Sequence, residues 1–485
     1  MFFSKLPAEI KKTGLKIKII FKNKKILALL CTGILVVIIS VLIGVLYLTK
    51  PALFIYSNSG SMEKFSKDDR IIILAPHPDD EAIGAGGVIQ RALSAGAKVN
   101  VICFTNGDFN QAAFLFYEKK PEILQKQFVL LGETRRLESI KGIENLGLGK
   151  NDIKYLGYPD FGTLKIMLGY WDPLHPYRSP LSREEKVPYP ESLTPNAPYC
   201  GESILNDLEK SISDFKPTKI FVSSPIDLND DHKALYLFLQ VALWDLKDTI
   251  GSPDVFEYIV HAKNWPGLQG YYPLEKITYP VLIKGDEITW YDFALTDAET
   301  EKKHDAVLSY KSQLLYKPKF LVSFVRSDEI FSKFKEIDLK DSGTSDLKWQ
   351  DVEFQKDSSG NNINIDFEDL SYALKDKNLY IKLKLKHSID EKMGINVYLL
   401  GYRKDVEFKT MPKIQVKIGF TGVNVLDKKE VISGSEIKLK YEGKDLIVSM
   451  PASLLGDPSY ILSNVGTRTG DLSYDALAWR VLKLN

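Results

Sequence analysis

Cysteine is scarce in this chain of 485 residues: Cys31, Cys103 and Cys200 are the whole supply, and no two have a paired spacing. A disulfide framework and a thiolate zinc site are both excluded. Net charge is nearly absent as well. A formal balance of +1 leaves no general basic field, so no nucleic-acid partner is expected. No internal repeat and no low-complexity tract interrupts the chain. What remains is ordinary globular material, 44% hydrophobic and 26% charged. The length exceeds what one core serves, so two domains plus extra segments are expected.

The charge that exists is unevenly placed. Residues 1–25 hold eight lysines and one acid, Glu9. Residues 26–49, "ILALLCTGILVVIISVLIGVLYLT", hold no charged residue. A helix of this run reaches roughly 36 Å, enough for a bilayer core of about 30 Å. A cleaved signal peptide is the rival reading, but its apolar region runs to only about 7–15 residues. An uncleaved transmembrane helix is therefore expected, with residues 1–25 cytoplasmic by the positive-inside rule. The chain beyond would be a single-pass protein of the cell membrane with its main body extracytoplasmic. Residues 50–68 read as a linker, polar and glycine-containing.

From residue 69 the pattern alternates. "RIIILA", "KVNVICFT", "DIKYLGY" and "KIFVSSP" read as strands buried on both faces. Between and after them, "GAGGVIQRALSAG", "GETRRLESIKGIENLG", "SILNDLEKSISDF" and "HKALYLFLQVALWDL" read as helices. The second is expected to bury a stripe of Leu137, Ile140, Ile143 and Leu146. The implied architecture is α/β: a mostly parallel sheet with helices on both faces, whose ligands sit at the carboxyl ends of the strands. The proline-rich stretch from Trp171 to Cys200 reads either as a lid or substrate wall or as a plain surface excursion. Beyond about residue 331, short alternating strands such as "NLYIKLKLK" and "GINVYLLGY" predict a separate all-β sandwich over 331–485. The α/β domain is then 69–330.

Three acids and a histidine stand at the mouth of the first buried strand, in "IIILAPHPDDEAIGAGG". Imidazole plus carboxylate is a zinc-type ligand set that needs a third member. His232, in "SSPIDLNDDHKAL", supplies it from another strand end. His77, Asp80 and His232 would leave a fourth position for water, as in a catalytic zinc site, with Asp79 free as general base. Asp231 would orient His232 or carry a proton. The plain alternative is a turn whose acids cap the following helix.

The stretch from about Arg70 to Gln313 resembles the PIG-L/LmbE family of zinc-dependent de-N-acetylases. The resemblance rests on "PHPDDEAIGAGG", "TNGD", Arg135-x-x-Glu138 followed by "LGLG", "YLGYPD" and "DLNDDHKA", in that order. It implies a Rossmann-like fold, one Zn2+ per chain on His77, Asp80 and His232, and Asp79 as base. It implies removal of acetyl groups from N-acetylated amino sugars, with Arg135 and Asp160 contacting sugar hydroxyls. A simple helix pair of Arg135 with Glu138 is the alternative for the former. One departure stands out: where the family often carries a second histidine, this chain has Asn229. Asn229, or His261 from "EYIVHAKNWPG", is then expected to stabilise the transition state. An anchored enzyme suits a surface glycan, with a glycolipid as the alternative partner. "NLYIKLKLK" and "DLSYDALAWRVLKL" weakly resemble family 9-type carbohydrate-binding modules, in which Trp349 and Trp479 would stack on sugar; otherwise both are core residues.

Overall fold

Strands form where the sequence runs β-branched and apolar between turn signals. The computed structural model describes residues 59–109, 125–280, 287–353, 366–387, 393–469 and 472–485. The basic segment 1–25 and the apolar run 26–49 lie outside the described residues; among those described, no helix is long and apolar enough to cross a membrane. All of the following belongs to the unit Asn58–Asn485.

The α/β region contains β1 (Ser59–Ser61), β2 (Arg70–Ala75), α1 (Asp80–Ser94), β3 (Lys98–Thr105), α2 (Gln125–Asn145), β4 (Ile153–Tyr158), α3 (Thr163–Gly169) and α4 (Gly201–Phe215). It continues with β5 (Lys219–Ser223), α5 (Asp230–Ile250), β6 (Asp254–Tyr258), β7 (Ile288–Ala294), α6 (Asp297–Val307), α7 (Lys311–Tyr316), α8 (Pro318–Val322) and β8 (Asp328–Phe334). The sheet order is β1-β7-β8-β6-β5-β2-β3-β4. Strands β6, β5, β2, β3 and β4 run parallel; β8 is antiparallel to both neighbours. The central β2 buries every residue from Ile71 to Ala75, as a strand covered on both faces must. Helix α1 ends at Gly96, φ 81°, where Gly96 N–H donates to Leu93 O and Ala97 N–H to Ala92 O, both at 3.0 Å. This is a Schellman closure, which favours glycine because the conformation is left-handed.

Several expectations need correction. The boundary at 330/331 falls inside β8, whose closing residues still pair with β7. A buried alternating strand reads the same whichever sheet takes it. The linker expected over 50–68 ends in sheet: Ser59–Ser61 pairs with β7, and Phe65 is buried against Phe293. Of the stripe expected on helix α2, Ile143 and Leu146 are buried and Ile140 is half-buried, but Leu137 is not buried. Leu137 is 54% exposed, while Arg135, Ser139 and Gly142 face inward. The stretch from Trp171 to Cys200 is neither lid nor loose excursion. Trp171, Tyr177, Val187, Tyr189 and Tyr199 are buried in the main core.

The C-terminal region adds β9 (Ile337–Leu339), β10 (Gln350–Glu353), β11 (Phe367–Lys375), β12 (Asn378–Leu385), β13 (Gly394–Tyr402), β14 (Lys413–Gly419) and β15 (Gly422–Asp427). Then follow β16 (Glu430–Ile432), β17 (Lys438–Glu442), β18 (Asp445–Pro451), β19 (Tyr460–Thr469), β20 (Leu472–Ala476) and β21 (Arg480–Leu484). One sheet is β10-β11-β12-β18-β17; the other is β16-β15-β14-β13-β19-β21-β9, with β20 beside β19. The alternating inner residues of both sheets make one apolar core. The outer face of the second sheet is not free. Leu400, Tyr402, Leu462, Trp479 and Val481 join the core of the α/β region. Helix α5 is therefore buried on both sides, which explains its nearly all-round apolar sequence. Trp244 on α5 stacks on Tyr460 at 4.7 Å and 17°. Trp479 is thus a core residue, and the Trp349 ring is covered by Lys382 Nζ at 4.7 Å. Trp479 presents no free face for sugar stacking; Trp349 is half-buried.

Candidate active site

Five parallel strands end on one rim, and each delivers a chemically loaded loop: His77 after β2, Asn106-Gly107-Asp108 after β3, Asp160 after β4, Asp227 after β5 and His261 after β6. At the rim, three side-chain atoms converge. His77 Nδ1 lies 3.1 Å from Asp80 Oδ2 and 3.3 Å from His232 Nε2, and His232 Nε2 lies 3.2 Å from Asp80 Oδ2. Ligands about 2.0–2.1 Å from a tetrahedral metal stand about 3.3 Å apart. All three residues are at least 94% buried.

The surroundings say which atoms carry protons. His77 Nε2 faces Asp160 Oδ1 at 3.2 Å and Asp231 Oδ2 at 3.3 Å, so that nitrogen carries the hydrogen and Nδ1 presents a lone pair. His232 Nδ1 lies 3.2 Å from Asp227 Oδ2, close enough for charge attraction but not aligned as a hydrogen bond. That places the proton on Nδ1 and the lone pair on Nε2. Three lone pairs then face one another around one point, an arrangement that a bound dication relieves. Without a metal, protons on the two rings take its place beside Asp80. Burial opposes charge on His77, yet Asp160, Asp231 and Asp80 outweigh it and raise its pKa well above the ordinary value. Burial likewise opposes charge on His232, but Asp227 and Asp80 push it up to about 9. The residues fit a resident dication.

Asp79 stands beside this triangle, and Arg135 holds it. Arg135 Nη2 donates to Asp79 Oδ2 at 3.1 Å and to Pro78 O at 2.9 Å; Nη1 donates to Gly107 O at 3.0 Å. Gly107, φ 66°, must be glycine for a second reason: a Cβ there would strike the guanidinium. Burial raises the Asp79 pKa to about 7, against the pull of Arg135. Glu138 is not the partner of Arg135; its carboxylate accepts Ser312 N–H and Oγ–H at 2.8 and 2.7 Å.

The expected site residues thus meet, with some roles redistributed. Asp231 does not back His232. It lies behind His77 and also accepts the N–H of Phe161 and of Thr163, at 2.6 and 3.2 Å. It is fully buried and meets the site through His77 Nε2, 3.3 Å away. Asp227 backs His232 instead. It accepts the N–H of Val260 and of His261 at 2.8 and 2.9 Å and lies 3.3 Å from His261 Nδ1. Its place after β5, like the other loaded positions, was the available signal. Asp160 lines the pocket but is first of all a partner of His77, which overcomes burial and lowers its pKa. Asn229 caps α5 by accepting the Asp231 N–H at 2.8 Å.

The pocket above the triangle holds about 430 Å3. His77, Asp79, Asp80, Arg135 and Asp160 form its floor side with Asn229 and His261; Phe109, Phe161, Tyr316, Lys317 and Phe320 supply walls. Phe109 and Phe161 pack at 5.3 Å, and Phe320 lies under the His261 ring at 5.9 Å and 22°. The walls carry no metal-type residues, so the sequence offered no signal for them.

Residues 72–243 match the family model PIG-L, GlcNAc-PI de-N-acetylase. His261 and the wall over 311–322 lie beyond the matched range. Two curated relatives, from Kineococcus radiotolerans and Nocardioides sp., both bear the name 1D-myo-inositol 2-acetamido-2-deoxy-alpha-D-glucopyranoside deacetylase. The first is 32% identical over 100 residues, 21% of this chain and 26% of that protein. The second is 31% identical over 98 residues, 20% of this chain and 30% of that protein. The chain thus spans less than a third of the length of these relatives. Among solved structures, N,N'-diacetylchitobiose deacetylase from Pyrococcus horikoshii aligns over 55% of this chain and 84% of its own, at 20% identity and TM-score 0.35.

Proposed function

We propose that this chain is a metal-dependent hydrolase that removes the acetyl group from an N-acetylated amino sugar. The carrying observation is the triangle of His77 Nδ1, Asp80 Oδ2 and His232 Nε2 with Asp79 beside it on one pocket floor. The PIG-L match and the names of the curated relatives support the substrate class.

The metal, read here as one Zn2+, would polarise the acetyl carbonyl and make a water molecule more acidic. Asp79 takes the proton as that water attacks the amide carbon. Arg135 aims the Asp79 carboxylate, and its charge favours the anion against the burial that raises the pKa to about 7. Asp160 and Asp231 hold the His77 ring, and Asp227 the His232 ring, as partners behind metal ligands do. His261 stands 33% exposed at the pocket edge with Asp227 at its Nδ1. It fills the place of the histidine that Asn229 replaces: it stabilises the developing oxyanion and, protonated, delivers a proton to the leaving amine. The C–N bond breaks, leaving a free amino sugar and acetate. Phe109, Phe161, Tyr316 and Phe320 offer apolar faces for the sugar ring.

The substrate favoured is the N-acetylated glycan of a cell surface. Residues 26–49 would anchor the chain, and the body would lie extracytoplasmic. A second reading, a glycolipid or a small N-acetylglucosaminide, is supported by the pocket lining, which lies between residues 77 and 321 and includes no sandwich residue. The test is metal content and acetate release by the chain and its Asp79→Ala variant, on N-acetylglucosamine oligomers and on a short N-acetylglucosaminide. Bound zinc with release that the variant abolishes supports the hydrolase. A folded protein with neither metal nor acetate release would overturn it, leaving a sugar-binding surface protein.

A further inference from the structure

Asp79 sits in a conformation that an L-residue avoids, φ 137° and ψ −29°. Such a backbone costs about 1–3 kcal/mol and persists only where neighbours hold it. Arg135 holds the side chain, but something else must hold the peptide. The Asp79 N–H donates to Glu81 Oε2 at 3.0 Å. Glu81 is fully buried, two residues along, and its other oxygen accepts two hydroxyls: Ser139 Oγ at 2.5 Å from α2, and Tyr310 Oη at 2.7 Å.

Tyr310 immediately precedes α7, which with α8 builds the aromatic wall of the pocket. It reaches Glu81 only because position 142 on α2 is glycine; a Cβ there would collide with the tyrosine hydroxyl. One buried carboxylate thus links the backbone of the base to the root of the substrate wall. Resting on the hydrolase reading above, we propose that Glu81 is a positioning residue. It locks Asp79 in its strained backbone state and ties that state to the seating of the wall through Tyr310.

The lock is made of hydrogen bonds, so it needs an acceptor more than a charge. Glutamine keeps an oxygen for the Asp79 N–H, and its amide can donate to the two hydroxyls, which accept as readily as they donate. The experiment uses the full chain loaded with zinc and compares Glu81→Met, Glu81→Gln, Tyr310→Phe and Glu81→Met/Tyr310→Phe. The expected result is a fall of about 100-fold in kcat for Glu81→Met, the scale of a displaced catalytic group, with KM and zinc content unchanged. Glu81→Gln recovers most of that loss. Tyr310→Phe loses about 10-fold alone and nothing further in the Glu81→Met background. Amide hydrogen exchange gives a readout independent of turnover: the peptide covering 76–83 should exchange faster in Glu81→Met and Tyr310→Phe, but not in Glu81→Gln. Unchanged exchange in that peptide, or equal kcat losses for Glu81→Gln and Glu81→Met, would overturn the inference. Absent acetate release by the parent chain would sink the hydrolase reading instead, while the exchange pattern would still decide the role of Glu81. Should Glu81→Met fail to fold, the same two readouts on Tyr310→Phe decide it.

Discussion

The carboxyl rim of the α/β sheet and the interior of the β-sandwich bury very different things. The rim buries His77, Asp79, Asp80, Glu81, Asp108, Arg135, Asp160, Asp227, Asp231 and His232 within one site. The sandwich interior is an apolar cluster of residues such as Leu383, Val397, Leu399, Val416 and Val448. Its buried cations Lys413 and Arg480 lie toward the α/β region, over the rings of Trp171 and Phe334. A buried charge is expensive unless it is paired. The rim therefore works against stability to serve chemistry, while the sandwich contributes stability and a surface for α5. The contrast teaches where to look for function: at the place where burial of charge has no other reason.

That contrast can be broken from either side. The largest effect is expected at the rim. Asp79→Asn should remove at least about 1,000-fold of acetate release, yet leave bound metal in place and the melting temperature of the metal-free protein unchanged or higher, because burial disfavours the carboxylate it removes. Metal analysis, turnover and calorimetry together check it; a large loss of metal-free stability would erase the distinction. The sandwich should answer in the opposite sense. Leu399→Ala in its core should cost about 2–5 kcal/mol of stability, measured by denaturant unfolding, with turnover per folded molecule unchanged.

The smallest effect sharpens the comparison at the seam. Glu257 on β6 is buried and bonded to Ser332 Oγ and to the Phe334 N–H, at 2.9 and 3.1 Å. Burial pushes its pKa up to about 8 from an ordinary 4.5. The folded state therefore holds a proton that the unfolded chain releases between these values. Its contribution to stability is full below about pH 4.5 and is lost as the pH rises through about 8. Melting temperature should fall by a few degrees between pH 6 and 9, and Glu257→Gln should flatten that slope. An unchanged slope in the variant would assign the pH dependence elsewhere.

Much of the fold was legible because it is written locally. β2, β3, β4 and β5 are apolar runs bounded by polar loops, and each lies where that pattern places it. The triangle of His77, Asp80 and His232 was legible for a similar reason: metal-type residues clustered at strand ends have few other uses. The partnerships were not. Arg135 could equally have paired with Glu138 one turn away; nothing local says that it crosses to Asp79, or that Glu138 turns to Ser312. Asp231, next to His232 in the chain, points to His77, while Asp227 takes the histidine. The division at 330/331 missed because β8 completes the α/β sheet before the chain enters the sandwich.

Strand order of hydrophobicity, helix stops and the chemistry of the loop after β2 follow from residues within a few positions of each other, since rise, turn and side-chain period are local geometry. Which carboxylates back His77, which helix face turns inward, and whether the sandwich stands apart or shares a core through Trp244, Tyr402 and Tyr460 depend on residues tens to hundreds of positions apart. Those pairings are chosen by packing and by the need to compensate every buried charge, and both are properties of the assembled chain.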